Sequence, residues 1–71
     1  MIEAVLQKLD KEVDYVERNI VALERFVNDA EAMSNIDHEP ELLHLQLNAM
    51  KQYKGILDLR IKHLKVAKSN I

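Results

Sequence analysis

The chain has no cysteine and no tryptophan, one glycine (Gly55), one proline (Pro40) and one phenylalanine (Phe26) in 71 residues. Without cysteine there can be no disulfide and no thiolate metal site. The three histidines, His38, His44 and His63, have no ligand-like spacing, so no metal and no cofactor is expected. A chain this short makes at most one domain, 1–71, and usually needs a disulfide, a metal or oligomerisation for stability. With the first two set aside, self-association is the expected source. The scarcity of turn formers, with 48% apolar residues arranged periodically, argues against disorder. No apolar run is long enough to span a bilayer, and Glu3, Lys8 and Asp10 do not fit a secretory leader. No membrane association and a cytoplasmic location are therefore expected.

Catalytic groups are equally scarce. Ser34 and Ser69 are the only serines and fall near helix ends, and there is no glycine-rich phosphate loop. The expectation is that the protein is not an enzyme. Asp37, His38 and Glu39 could touch a metal, but capping a helix explains them better.

What the chain does have is heptad order. Apolar residues at Ile2, Leu6, Leu9, Val13, Val16, Ile20, Leu23, Val27 and Ala30 alternate steps of four and three, which predicts a helix over about 2–33. With Leu6, Val13, Ile20 and Val27 at a, the e positions are Glu3, Asp10, Glu17, Glu24 and Glu31, all acidic. Such a row favours a basic partner over its own copy. The g positions are Val5, Glu12, Asn19, Phe26 and Met33, so at both ends of the helix the seam widens to admit Val5, Phe26 and Met33. A polar break over 34–39 follows. Pro40 suits the first turn of a second helix, about 40–68, with Asp37 as N-cap. A short connection between two long helices makes an antiparallel hairpin. The fold class is all-α: a two-helix hairpin assembling into a homo-oligomeric helical bundle.

The second helix carries two apolar stripes. Leu43, Leu47, Met50, Leu57, Ile61 and Leu64 form one; Leu42, Leu45, Ala49, Ile56, Leu59 and Val66 form the other. A surface helix needs only one. The first helix can cover one stripe, and another copy of the chain must cover the second. Ala49 and Gly55 would permit close approach of helices.

Charge is divided along the chain. Residues 1–36 hold four basic and eight acidic groups; residues 37–71 hold six basic and four acidic, and every one of those six lies after position 50. Either the two helices attract each other, or the basic end also holds an anion. Lys51, Lys54, Asp58, Lys62 and Lys65 lie along one helical stripe, which as a solvated face needs no function. A pI near 5.9 makes duplex nucleic acid a poor partner. A small phosphate-bearing ligand fits better, with Tyr53 to stack on a base, Lys51, Lys54 and Arg60 to pair with phosphates, and Arg25 from the first helix as a further cation.

The pattern Val16-x-x-x-Ile20-x-x-Leu23-x-x-Phe26-Val27, a polar break, then Leu43-x-Leu45-Gln46-Leu47-x-Ala49-Met50-x-x-Tyr53-x-x-x-Leu57-x-x-Arg60-Ile61 resembles the helical domain of the phage anti-CBASS and anti-Thoeris nucleotide sponges. The resemblance implies a homo-oligomer, typically a hexamer of interlocked hairpins. It implies binding of cyclic oligonucleotide or cyclic ADP-ribose-type immune signals at protomer interfaces, without cleavage, in the cytoplasm of an infected bacterial host. The competing reading is an oligomeric hairpin that binds and inhibits a host protein.

Overall fold

The computed structural model describes residues 1–36 and 39–70. Among these residues three helices follow one another: α1 (Ile2–Val27), a single short turn α2 (Ala30–Ser34) and α3 (Pro40–Ser69). Among the described residues there is no strand. α1 and α3 lie side by side over most of their length, in a rod 54 × 15 × 15 Å. They run antiparallel, since Glu3, Glu17 and Glu24 of α1 meet Lys68, Lys54 and Lys51 of α3 in reverse order.

The heptad positions make the seam. Leu6, Leu9, Val16 and Ile20 of α1 are buried, as are Leu47 and Leu57 of α3. Among the described residues Leu57 is the one fully enclosed side chain, at 0% exposure. Val13, Leu23, Val27, Met50, Ile61 and Leu64 close around this cluster as half-buried neighbours. The α3 stripe headed by Leu43 is thus the one that α1 covers. Each member of the core sits where a three- or four-residue step puts it on the facing side.

The first helix does not continue to position 33. α1 ends at Val27, Asn28 makes the C-cap, and Asp29 turns the chain into an extended conformation (φ −92°, ψ 102°). Asp29 Oδ1 then accepts from the amides of Glu31 and Ala32, both at 3.1 Å, and so caps α2. The reason is chemical: Asn and Asp side chains compete for local backbone donors and favour caps over helix interiors. The heptad frame counted Ala30 and Met33 as seam residues, but neither is buried, since the chain has already left the α1 axis.

Pro40 opens α3 at the first helical position, as expected. The Asp37 N-cap expectation lies outside the described residues. The residue at the cap is Glu39, in a left-handed conformation (φ 49°, ψ 57°) with no side-chain capping bond. A residue preceding proline is disfavoured in the right-handed helical region. Glu39 turns through the left-handed one instead, and its carbonyl accepts from the Leu42 amide at 3.0 Å.

Two substitutions separate the core from the cap. Leu57→Ala leaves a cavity at a fully enclosed site and costs about 2–5 kcal/mol. Asp29→Ala removes the cap of α2 alone and costs about 1 kcal/mol. Chemical denaturation of both variants should rank them in that order.

Candidate functional site

The charged side chains on α3 are arranged by the two edges of the seam. On one edge stand the e positions of α1. Lys51 Nζ lies 2.9 Å from Glu24 Oε2, and Lys54 Nζ lies 3.5 Å from Glu17 Oε2 and 3.0 Å from Asp58 Oδ2. Near the ends of the rod Lys68 pairs with Glu3. Attraction between the acidic and basic helices is therefore satisfied within one chain. The Asp58 carboxylate, one turn on, accepts a hydrogen bond from the Lys54 ammonium and holds its pKa above the ordinary value, with Glu17 adding to the effect.

On the other edge stand the g positions. The Tyr53 hydroxyl donates to the Glu12 carboxylate across the seam. That hydrogen bond, then burial and the Glu12 charge, push the phenol pKa up; the positive charge of Arg60 pulls it the other way. Arg60 follows Tyr53 by two helical turns and so projects on the same side of α3. Tyr53 is 44% exposed, and Arg60 is exposed. Nearer the start of α3 runs a shallow groove lined by Asn19, Phe26, Gln46 and Met50 among others, which neither Tyr53 nor Arg60 lines.

The five residues singled out from sequence are thus not gathered in one protomer. Tyr53 and Arg60 share one edge. Lys51 and Lys54 face Glu24 and Glu17 on the other, so they are occupied by carboxylates. Arg25 sits at an f position of the heptad, on the outer side of α1, and is exposed. Neither Arg25 nor Arg60 enters an ion pair among the described residues. Glu12 is the participant that the sequence reading passed over. It had a signal: it is the one acidic residue in a g row otherwise made of Val5, Asn19, Phe26 and Met33.

Chemically, the Tyr53 edge offers an aromatic face held by its hydroxyl, the Arg60 guanidinium and a carboxylate. The guanidinium can grip a phosphate through two parallel hydrogen bonds. The ring can stack on a base, and the carboxylate can accept from a base edge or a sugar hydroxyl. No group of three metal-ligating side chains comes together among the described residues.

The Tyr53–Glu12 bond has a pH signature. Its hydroxyl is held above the ordinary value of 10.0 in the folded chain. The stability it contributes is therefore full below the unfolded-state pKa and is lost as pH rises through the folded one. In Tyr15→Phe, where Tyr53 is the only tyrosine, phenolate absorbance should titrate with a midpoint above 10. Adding Glu12→Gln should move that midpoint down. A midpoint that ignores Glu12 would break the assignment.

Comparison with known proteins gives one family. The Sequestin family model matches residues 3–63, which takes in nearly all of α1, all of α2 and most of α3. No curated protein matches the chain, and no solved structure does. With 3–63 matched out of 71 residues, the chain belongs to the Sequestin family.

Proposed function

We propose that this protein is a phage anti-defence sponge: a homo-oligomer of hairpins that binds a cyclic oligonucleotide or cyclic ADP-ribose-type immune signal and withholds it from the host effector without cleaving it. The family's name denotes sequestration, which supports the binding role. The observation that carries the reading is the Tyr53 edge. There an exposed aromatic and Arg60, which has no carboxylate partner among the described residues, stand together beside an apolar stripe of α3 that the hairpin leaves uncovered. Tyr53 stacks on a base, Arg60 pairs with a phosphate, and Glu12 orients the ring. Lys51, Lys54 and Arg25 contribute long-range attraction for an anion rather than direct contacts. A hexamer is the assembly favoured by resemblance to the nucleotide sponges.

Sequestration needs affinity and slow release, not chemistry, and the residues placed here supply only stacking, hydrogen bonds and charge. Base–aromatic stacking is worth about 1–3 kcal/mol per base, and a ligand at a hundred times its Kd stabilises the fold by about 2.7 kcal/mol. The melting temperature should therefore rise by several degrees with one member of a panel of cyclic di- and trinucleotides and cyclic ADP-ribose isomers. Tyr53→Ala and Arg60→Ala should each weaken binding about tenfold or more, and heating the complex should release intact ligand. No shift with any member of the panel sinks the sponge.

The same uncovered stripe also fits the inhibition of a host protein. A stoichiometric protein partner, with no nucleotide carried through purification, would put that reading in its place.

A further inference from the structure

The outer stripe of α3 is left uncovered by the hairpin. Leu42, Leu45, Ile56, Leu59 and Val66 are each more than half exposed, with Leu45 at 61%. They fall on one face about 36 Å long, at 1.5 Å per residue. The exposed apolar residues of α1 (Val5, Tyr15, Val21 and Phe26) form no comparable line. The chain exposes 5606 Å². A compact monomer of its mass exposes about 4,600 Å². The excess of about 1,000 Å² is close to what one partner buries in a stable protein–protein interface, about 800 Å².

We infer that this face binds the same face of a second copy, with the two α3 helices antiparallel about a two-fold axis at Gln52. The inference rests on the homo-oligomer part of the sponge reading and adds its geometry. Three features fix the occupant and its direction. First, the ends of α3 are opposite in charge: Glu39 and Glu41 at the start, Lys62 and Lys65 towards the end. Parallel copies would set like against like, whereas antiparallel copies set Glu41 beside Lys62 of the other chain. Second, Gln52 is the polar interruption at the middle of the stripe. On the axis it meets its own copy, and an amide is both donor and acceptor, so the pair satisfies itself. That register sets Leu59 level with Leu45, and brings the large Ile56 within one residue of level with the small Ala49.

Third, Gly55 sits inside a 30-residue helix, where glycine costs about 1 kcal/mol against alanine. Within the hairpin nothing requires it, for a Cβ added there would meet nothing within 4 Å. A second helix crossing near Gln52 would pass beside it. In an antiparallel pair, equal edges adjoin. Both Tyr53–Arg60 sets therefore come to the same edge of the pair, with the two Tyr53 rings next to the axis. A ligand with repeated bases and phosphates would meet the set twice.

The absence of cysteine makes the register directly readable. Gln52→Cys should form an intermolecular disulfide under mild oxidation, since a bridge needs Cα atoms within about 7 Å. Val66→Cys lies about 21 Å from the axis along the helix and should not link to its own copy. Leu45→Cys and Leu59→Cys should each stay unlinked alone and link when mixed; Ala49→Cys with Ile56→Cys is a second such pair. All these positions are exposed in the hairpin, so circular dichroism should show unchanged helicity. Self-linking of Leu45→Cys would overturn the antiparallel arrangement, and an 8.3 kDa species in light scattering would overturn the pairing altogether. Cross-links at these positions without any nucleotide-induced shift would keep the interface and remove the sponge. A nucleotide shift without the cross-links would do the reverse.

Discussion

A helix can be covered from only one direction by one other helix, and that constraint organises this molecule. α3 is apolar on two faces. α1 takes the face of Leu47 and Leu57 and buries it well enough to enclose Leu57 completely. Nothing remains in the described chain to take the face of Leu45 and Leu59: α2 is a single turn that follows directly on α1. The hairpin is therefore a half-finished object in the thermodynamic sense. Its inner seam gives it direction and register, while much of the apolar surface that could offset the entropy of ordering a chain this short still faces water.

Charge works with the seam rather than in place of it. The contacts between the e row of α1 and the lysines of α3 are exposed, and exposed pairs add little stability each. Their value is in selection. An acidic row beside the seam of α1 penalises pairing of α1 with its own copy and rewards pairing with the basic end of α3. The same division leaves the acidic start and basic end of α3 free to set the direction in which two α3 helices meet. One asymmetry of composition thus biases two different contacts.

Most of the architecture was legible in sequence because it depends on period. Steps of three and four put Leu6, Leu9, Val16 and Ile20 on one face, and each is buried. Pro40 announced the start of α3, and the outer stripe is exposed along its length as two-stripe patterning predicts. The break at Asn28-Asp29 was missed because the apolar period runs through it to Ala30. The local capping chemistry of Asp29 overrode the pattern. The candidate site was less legible. Which edge of the seam a residue of α3 faces, and what waits for it on α1, depends on the rotation and axial offset of two helices. Tyr53 and Arg60 could be chosen by residue type, but their association with Glu12, and the separation of Lys51 and Lys54 from them, could not.

That separation changes which cation matters. An anion approaching Lys54 must displace Glu17 and Asp58, carboxylates that the fold holds within 3.5 and 3.0 Å. They are tethered, so their effective concentration is far above that of any ligand in solution. Lys51 faces the same competition from Glu24 at 2.9 Å. Arg60 faces none among the described residues, and its planar fork matches a phosphate better than an ammonium does. The count of basic residues after position 50 thus overstates the anion-binding capacity of the protomer. What remains is one guanidinium beside one tethered aromatic ring, too little alone to hold a multiply charged ligand tightly. Symmetry is the economical remedy, because each added copy brings another guanidinium and another ring without a longer chain. The uncovered stripe that makes the hairpin incomplete as a fold lies next to the edge that is incomplete as a site, and one contact between copies would complete both.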